Sequence, residues 1–258
     1  MKTKYTKMHS NGNEFLITED IRQIEKTKIL ADKKKGIGFD QLLFIKNKNP
    51  YEVLVINSDG SEADNCINGL RCIASLYSLN NQVIYIGDNK FVVNSSGNGA
   101  EVSGSLPHVT VHNNYYVIYF GNNHIARECS NIESINLENE YEKLKASREF
   151  EGIKNFNLSV YQKSKNNIAI RTYENGAGET LSCGSATISV AFALLKDTKK
   201  NELLFTSRGG KTKVYKDDAS IKSEANAVII EQGFLNGWIK KKAKRVSKNK
   251  ELLWSYDL

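Results

Sequence analysis

The chain has little of several features that would place it in a common class of protein. Its 258 residues include only 2 Pro and 4 Cys. The cysteines, Cys66, Cys72, Cys129 and Cys183, form no C-x-x-C pair, which argues against a zinc site. Structural disulfides are not expected, because a cytosolic setting keeps thiols reduced. No run approaches the roughly 18 apolar residues that cross a membrane, and Met1 to Asp20 lacks an apolar stretch of signal-peptide length. We therefore expect a cytoplasmic protein with no metal site and no membrane partner.

The net charge of +7 comes from one segment of the chain. Seven basic residues lie near the C-terminus with no acidic residue between them: Lys240, Lys241, Lys242, Lys244, Arg245, Lys248 and Lys250. The remaining 29 of the 36 basic residues match 29 acidic ones. The body of the protein therefore lacks the basic surface typical of nucleic-acid binding. We interpret residues 240–258 as a basic, solvated tail.

Two of the cysteines, Cys66 and Cys183, each follow a turn rich in Gly, Ser and acidic residues. Apolar residues then recur at i, i+3, i+4 and i+7, which predicts an amphipathic helix after each cysteine. They are Leu70, Ile73, Ala74 and Tyr77 after Cys66, and Ile188, Ala191, Phe192 and Leu195 after Cys183. A helix N-terminus offers unsatisfied backbone N–H groups and a positive dipole end, which stabilise a thiolate and bind a carboxylate. Two such thiols facing each other would make an acid and a base.

The two halves of the chain show the same order of elements: strand, tight turn, cysteine, helix. An internal duplication is the simplest account, and many strands with few helices favour an α+β fold over alternating α/β. Predicted strands are Lys4–Ile17 with a turn at 10–13, Tyr51–Asn57, Val83–Ile86, Phe91–Val93, Val109–Val111, Tyr115–Phe120, Ile168–Tyr173, Leu203–Thr206, Lys211–Tyr215 and Ala227–Glu231. Predicted helices also include Glu19–Lys35, ended by Gly36, and a short one on Leu137, Tyr141 and Leu144.

Several motifs resemble those of the diaminopimelate epimerases, in the same order from residue 7 to about 233. In the first half they are Lys7-Met8-His9, Gly12-Asn13-Glu14-Phe15, Gly36-Ile37-Gly38-Phe39-Asp40-Gln41-Leu42-Leu43, Asn57-Ser58-Asp59-Gly60-Ser61-Glu62 and Cys66-Ile67-Asn68-Gly69-Leu70-Arg71-Cys72. In the second half they are Gly121-Asn122-Asn123-His124, the weaker Asn155-Phe156-Asn157-Leu158, Tyr173-Glu174-Asn175-Gly176-Ala177-Gly178-Glu179-Thr180 and Cys183-Gly184-Ser185.

The resemblance implies an α+β fold of two pseudo-symmetric lobes with the active cleft between them. Each lobe is expected to be a mostly antiparallel β-sheet or barrel wrapped around a central helix. The lobes would span residues 1–113, carrying Cys66, and 114–226, carrying Cys183. A strand from about 227–239 would complete the first lobe, and 240–258 would follow as the tail.

The resemblance also implies a cofactor-independent isomerase that converts LL- to meso-diaminopimelate, a precursor of lysine and peptidoglycan. Cys66 and Cys183 inherit the roles of base and acid at the α-carbon, and His124 and Glu174 match positions that assist proton transfer. The expected partner is a small amino-acid substrate, and a homodimer is compatible with the sequence. Positions that match substrate contacts are Asn13, Gln41, Asn57, Ile67, Asn68, Asn122, Asn157, Asn175, Gly184 and Ser185.

Two departures from the family pattern bear on the substrate. Ile67 stands where the family has glycine, so a side chain is added beside the pocket, and a positive φ there would strain a β-branched residue. Asn175 stands where the family has an arginine that clamps the distal carboxylate of diaminopimelate. Asn123 also replaces a proline before His124. Two alternatives therefore stay open: a related racemase or epimerase of another amino acid, and a binding or thiol-redox protein without epimerase activity.

Overall fold

The computed structural model describes residues 3–196, 198, 200–235 and the backbone of the short strand 251–253. The chain divides into two compact units, unit 1 with residues 1–100 and 226–258 and unit 2 with residues 101–225. This division falls before the predicted lobe boundary at 113 and 114, and the predicted lobes remain a prediction. Most of the basic tail lies outside the described residues. None of the described helices combines the length and apolar character needed to cross a lipid bilayer.

Unit 1 contains most of its strands before residue 100 and gains two more near the C-terminus. Its strands are β1 (Thr3–Ser10), β2 (Asn13–Thr18), β3 (Gln41–Lys48), β4 (Tyr51–Asn57), β5 (Gln82–Ile86) and β6 (Asn89–Ser96), with β17 (Val228–Leu235) and β18 (Glu251–Leu253). Its α-helices are α1 (Thr27–Ala31), preceded by a 3-10 helix at Ile21–Lys26, and α2 (Ile67–Leu76). Strand β7 (Gly99–Gly104) crosses the division between the units.

Unit 2 contains the remaining strands and two further α-helices. The strands are β8 (His108–His112), β9 (Tyr115–Tyr119), β10 (Asn123–Glu128), β11 (Phe156–Lys163), β12 (Ile168–Glu174), β13 (Gly178–Thr180), β14 (Glu202–Ser207), β15 (Gly210–Lys216) and β16 (Ile221–Asn226). The helices are α3 (Leu137–Lys145) and α4 (Gly184–Leu195), with 3-10 helices at Ile132–Ser134 and Arg148–Phe150.

The two units repeat one strand topology. In unit 1 the strands pair in the order β17, β1, β2, β3, β4, β5 and β6. The pairs β2–β3 and β4–β5 are parallel, and the other four pairs are antiparallel. In unit 2, β8, β9, β10, β11, β12, β14 and β15 follow the same sequence of antiparallel and parallel pairings. A helix precedes the sixth strand of each series, α2 before β5 and α4 before β14. This repetition agrees with the internal duplication expected from the sequence.

The turn between the second and third strands of each series uses residues able to adopt positive φ. Asn11 and Gly12, between β1 and β2, have φ values of 49° and 77°. Two successive positive values match the tight hairpin turn that favours Asn-Gly. Gly121, between β9 and β10, has a φ of 74°. The two turns therefore place Asn13 and Asn122 at equivalent points of the repeat.

The two helices that follow the cysteines are confirmed, but they are more buried than an amphipathic pattern predicts. All residues from 67 to 74 in α2 and from 184 to 191 in α4 are buried. The reason is that strands pack on several sides of each helix: β1, β2 and β6 on α2, and β9, β10, β11, β14 and β15 on α4. Both helices are therefore central helices of their units. The α+β class expected from the sequence is confirmed.

The predicted helix from Glu19 to Lys35 is wrong in length. The α-helical part is α1 alone, and it ends at Ala31 because the Asp32 side chain accepts bonds from the N–H groups of Lys34 and Lys35, at 2.7 and 2.9 Å. Such a local side-chain turn competes with helical bonding. Gly36 serves close packing, since a Cβ there would lie 2.3 Å from the carbonyl oxygen of Ile29.

Strands predicted from local patterns are confirmed, whereas β3, β7, β10, β11, β13, β16 and β18 were not predicted. The short helix α3 is also confirmed. Leu137, Tyr141 and Leu144, its three predicted apolar positions, are buried in one cluster with Ile125 and Leu158. The spacing of these three residues places them on one helix face, which explains the agreement.

Candidate active site

Cys66 is the residue that begins α2. It is the N-cap, with φ −155° and ψ 76°, and is 7% exposed. Its Sγ donates a 3.0 Å hydrogen bond to Oε1 of Gln41 on β3. Gly69 makes room for the sulfur, because a Cβ at that position would lie 2.7 Å from Sγ and 2.9 Å from a Leu43 methyl group. The glycine of the motif is therefore required by the closeness of the thiol.

The amide side chains of Gln41 and Asn57 are joined beside this thiol. The β3–β4 ladder places the two residues opposite each other, and Gln41 Nε2 donates to Asn57 Oδ1 at 2.8 Å. Asn57 Nδ2 donates in turn to Ser61 Oγ at 3.0 Å. Asn13 connects to the residue before Gln41, since its Nδ2 donates to Asp40 Oδ2 at 3.0 Å. The structure thus groups Asn13, Gln41, Asn57 and Cys66 within unit 1.

The first turn of α2 carries Ile67 and Asn68. Ile67 is buried and helical, and it is absent from the described residues with positive φ, so the strain considered for a β-branched residue does not arise. Asn68 Oδ1 accepts a 2.6 Å bond from Nη1 of Arg71, which is fully buried. Arg71 therefore orients the Asn68 amide and does not face water.

Cys183 begins α4 as Cys66 begins α2. It is the N-cap residue, 7% exposed, and its Sγ lies 3.4 Å from Ser185 Oγ. Burial raises the pKa of the Cys183 thiol well above its usual range, and the negative charge of Glu174 raises it further. Bonds from Ser185 and the Ala186 backbone act in the opposite direction. Burial therefore opposes, at Cys183, the stabilisation of a thiolate that a helix start is expected to give.

Glu174 ends β12 and is the carboxylate beside Cys183. It interacts with Cys183 both as a hydrogen-bond partner and as a charge. Thr180 on β13 donates its hydroxyl to Glu174 Oε1 at 2.5 Å. A carboxylate next to a protonated thiol can accept the thiol proton and leave a thiolate without a change in total charge. This pair can therefore act as a proton relay.

His124, on β10, is fully buried. Burial lowers its pKa to about 3, so the ring is neutral at neutral pH. Its Nε2 lies 2.9 Å from Asn122 Oδ1. Because an amide oxygen only accepts, Nε2 must carry the proton and Nδ1 must be the unprotonated nitrogen. Nδ1 has no hydrogen-bond partner among the described residues, which leaves it able to accept one.

Asn157, at the start of β11, and Asn175, just after the end of β12, are joined by a hydrogen bond. The backbone N–H of Asn175 donates to Asn157 Oδ1 at 2.9 Å. Tyr141 on α3 donates its hydroxyl to Asn175 Oδ1 at 2.8 Å and packs against Tyr173, with ring centroids 4.6 Å apart. The Asn175 amide is therefore fixed with its oxygen toward Tyr141.

Glu179 braces the hairpin between Glu174 and Cys183. Arg171, 8% exposed, donates to its two oxygens at 2.7 and 2.8 Å and to the carbonyl oxygens of Ile132 and Ile135. Arg208 forms a second, more exposed ion pair with Glu179 at 2.9 Å. These bonds hold the hairpin before Cys183 in place.

The two thiols occupy equivalent positions of the repeat. The parallel pairing places Gln41 beside Phe15 in unit 1 and Asn157 beside His124 in unit 2. Asn57 lies nine positions before Cys66, and Glu174 lies nine positions before Cys183. Gln41 and Asn57 therefore correspond to Asn157 and Glu174. The neighbours of the two cysteines differ in charge, since Cys66 has two amides and Cys183 has a carboxylate.

Sequence reasoning did not assign a role to four side chains that hold this site. They are Asp40, Ser61, Tyr141 and Thr180. Asp40, Ser61 and Thr180 lie inside the quoted motifs, which was the available signal, whereas Tyr141 reaches Asn175 only through tertiary packing. Among the described side chains, no three His, Cys, Asp or Glu residues come together as a group that could hold a metal ion.

Comparison with known proteins places the chain among amino-acid epimerases. A family model described as diaminopimelate epimerase matches residues 5–104 and 116–231. The diaminopimelate epimerase of Buchnera aphidicola subsp. Baizongia pistaciae is 31% identical over 83% of this chain and 92% of its own length. That of Flavobacterium psychrophilum is 29% identical over 82% of this chain and 90% of its own length.

A solved structure of lower sequence identity has a similar fold. The Bacillus anthracis phenazine biosynthesis protein of the PhzF family superposes with a TM-score of 0.67, at 14% identity, over 92% of this chain and 99% of that one. This similarity supports the α+β fold with its repeated units.

Proposed function

The chain belongs to the diaminopimelate epimerase family, and we propose that it interconverts the LL and meso forms of diaminopimelate. It is an isomerase, and the reaction inverts one α-carbon. One thiolate, at Cys66 or Cys183, removes the α-proton and the other cysteine, as a thiol, returns a proton to the opposite face. The observation that carries this proposal is the repeated placement of a buried thiol at the start of a central helix.

The helix starts suit the charge that this reaction creates. Removal of an α-proton builds negative charge on the adjacent carboxylate, and preorganised N–H donors stabilise it. The first turn of a helix has backbone N–H groups without a carbonyl partner in the same helix. We place the substrate carboxylate at the N–H groups of Ile67 and Asn68 in α2 and of Gly184 and Ser185 in α4. Both helices are long enough to have a developed dipole.

The proton positions follow from the neighbours of each thiol. Glu174 accepts the proton of Cys183, which becomes the thiolate that removes the α-proton from one face of the α-carbon. Cys66 gives its proton to the other face. His124 is neutral, and its Nδ1 is an acceptor that can share a proton within the site. The thiols themselves supply both acid and base, so the proposed reaction needs no cofactor.

We propose that five amide side chains bind the substrate. Asn13, Gln41 and Asn57 in unit 1 and Asn122 and Asn157 in unit 2 lie at or near strand ends. Amides can donate and accept, which suits the ammonium and carboxylate groups of an amino acid. We place the reaction in the cytoplasm, because the acid–base pair requires reduced thiols and that compartment keeps thiols reduced.

A second candidate, a racemase or epimerase of another amino acid, is favoured by Asn175. Its amide oxygen accepts from Tyr141, and an amide lacks the charge and the paired donors with which arginine holds a carboxylate. Arg171 and Arg208 are bonded to carboxylates in this unit. Lys145 Nζ lies 5.7 Å from the Tyr141 ring centroid. A smaller or neutral distal group would suit Asn175.

Incorporation of solvent deuterium separates these candidates. Purified protein under reducing conditions is incubated in deuterium oxide with LL-diaminopimelate or with single amino acids that have neutral side chains. We expect fastest α-proton exchange for LL-diaminopimelate, with meso product detected by chiral chromatography. Faster exchange of another amino acid would replace the first candidate with the second. No exchange with any substrate would support the binding or redox alternative.

Replacement of Asn175 by arginine should tighten binding of diaminopimelate. A bidentate charge-assisted pair adds about 1.5–3 kcal/mol, so KM for LL-diaminopimelate should fall by about ten- to hundredfold. Steady-state kinetics would measure it. Asn175→Gln is the matched control, because it keeps an amide and adds no charge. An unchanged KM in Asn175→Arg, with exchange still active, would show that the distal carboxylate is held elsewhere.

A further inference from the structure

We propose that a one-way chain of hydrogen bonds from Cys66 through Gln41, Asn57 and Ser61 to Asp59 holds Cys66 as a thiol in the substrate-free enzyme. The inference rests on the proposed function, in which Cys66 is one of the two groups that exchange a proton with the α-carbon. It assigns Ser61 and Asp59, which do not touch the thiol, as positioning residues that act through the two amides.

The bonds of this chain lie on the turn and strands before α2. Cys66 Sγ donates to Gln41 Oε1 at 3.0 Å, and Gln41 Nε2 donates to Asn57 Oδ1 at 2.8 Å. Asn57 Nδ2 donates to Ser61 Oγ at 3.0 Å, and Ser61 Oγ donates to Asp59 Oδ1 at 2.6 Å. Each amide is used once as donor and once as acceptor. The four bonds therefore run in a single direction.

Asp59 determines that direction. An ionised carboxylate only accepts, and a serine hydroxyl has one proton to donate. The hydroxyl and backbone N–H of Ser61 both bond to Asp59, and they hold the pKa of this carboxyl below its usual range. Because the Ser61 hydroxyl already donates its hydrogen bond to Asp59, its oxygen can only accept a hydrogen bond from Asn57. Asn57 then presents its oxygen to Gln41, and Gln41 presents its oxygen to Cys66.

An amide oxygen facing the sulfur favours the protonated form. A thiol donates to that oxygen, whereas a thiolate would face its partial negative charge. To offer an N–H to a thiolate, Gln41 would have to turn its amide. The turned amide would present an oxygen to the Asn57 oxygen and break the 2.8 Å bond. Loss of the Cys66 proton therefore costs the protein a hydrogen bond as well as the burial of a charge.

Charged and titratable groups on the two adjoining helices act on the two ends of this chain of hydrogen bonds. Cys72, on α2, interacts with Cys66 as a like charge, and the buried Arg71 acts on Cys72 with the opposite sign. Lys28, on α1, attracts Asp59 and helps to keep it ionised. Cys72 and Arg71 act near the sulfur of Cys66. Lys28 acts at the other end of the chain of hydrogen bonds, where Asp59 sets the direction of the bonds.

The equivalent position in unit 2 works differently. Glu174 corresponds to Asn57, and this carboxylate interacts with Cys183 directly. A carboxylate can take the thiol proton, whereas the Gln41 amide cannot. The free enzyme therefore rests with Cys66 as the proton donor and with Cys183 as the thiol that Glu174 can deprotonate. In this protonation state the enzyme can remove an α-proton that faces Cys183.

Ser61→Ala removes the link between Asp59 and the amides and tests this inference without substrate. The ultraviolet absorbance of the thiolate is titrated with pH in each variant and in the same variant carrying Cys66→Ala, and the difference gives the titration of Cys66. We expect the Cys66 midpoint to fall by about one pH unit in Ser61→Ala, because the released amides can turn toward the thiolate. Ser61→Thr keeps a hydroxyl and should restore the original midpoint.

Ser58→Ala is the matched control, since Ser58 is an exposed serine on the same turn and lies outside the chain of bonds. Its Cys66 midpoint should equal that of the unchanged protein. Circular dichroism verifies that each variant is folded. An unchanged midpoint in Ser61→Ala, or an equal fall in Ser58→Ala, would overturn the inference. The proposed function fails in a different experiment, the exchange of the α-proton, so the two failures are distinguishable.

Discussion

Replacing Cys183 with alanine should reduce turnover of LL-diaminopimelate by about 10²–10⁴-fold, the usual contribution of a general acid or base. The proposed reaction needs a proton acceptor on one face of the α-carbon and a donor on the other, so Cys66→Ala should cause a loss of similar size. Alanine at either N-cap keeps the small volume and places no new polar group in a buried position. Chiral chromatography of the product would measure the loss.

Cys129→Ala is the control for loss of a thiol without loss of the site. Cys129 is half-buried in unit 2, and its Sγ bonds to the Tyr161 carbonyl oxygen at 3.5 Å. We expect its turnover to match that of the unchanged chain. Full turnover in Cys66→Ala or Cys183→Ala would contradict the two-base reaction, and equal losses in all three variants would indicate damage to folding.

Replacing Arg171 with methionine should lower the free energy of unfolding by about 3 kcal/mol. The change removes two bonds to Glu179 and two to backbone carbonyl oxygens while keeping most of the apolar stem. Glu179 and the two carbonyl oxygens would remain partly buried without these hydrogen-bond donors, so we expect a large loss of stability. Urea-induced unfolding followed by circular dichroism would measure it.

Arg208→Met is the matched control, because Arg208 pairs with the same carboxylate but its side chain is 47% exposed. Exposed ion pairs contribute about 0–1 kcal/mol, so this variant should unfold almost as the unchanged chain does. Equal destabilisation by the two substitutions would contradict the role given to Arg171. It would indicate instead that net charge near Glu179 decides the stability.

The pH dependence of stability gives a second test of the same pair. Bonds from Arg171 lower the pKa of Glu179, so the unfolded chain binds this proton more readily than the folded one. The stabilisation is therefore present at neutral pH and is lost as pH falls through the folded value. Arg171→Met should lose less stability between neutral pH and the acid range than the unchanged chain. A steeper loss would mean that another group dominates.

Local patterns in the sequence predicted the parts of this protein that short-range interactions control. The apolar spacing after Cys66 and Cys183 predicted α2 and α4, because side chains three and four positions apart share a helix face. Strand β4 has the predicted bounds, Tyr51–Asn57. The helix predicted from Glu19 failed where Asp32 bonds to the two backbone N–H groups that follow, a competition that apolar spacing does not reveal.

Contacts between distant parts of the chain decided the rest. Gln41 and Asn57 meet only because β3 and β4 pair in one register, and Tyr141 reaches Asn175 only because α3 packs against β12. The pKa of Cys183 rises because the folded unit buries it beside Glu174, against the effect of the helix start. The sequence by itself determined which thiols begin helices, since that depends on neighbouring residues. The tertiary structure decided which side chain bonds to each thiol, since strand register and burial depend on the whole fold.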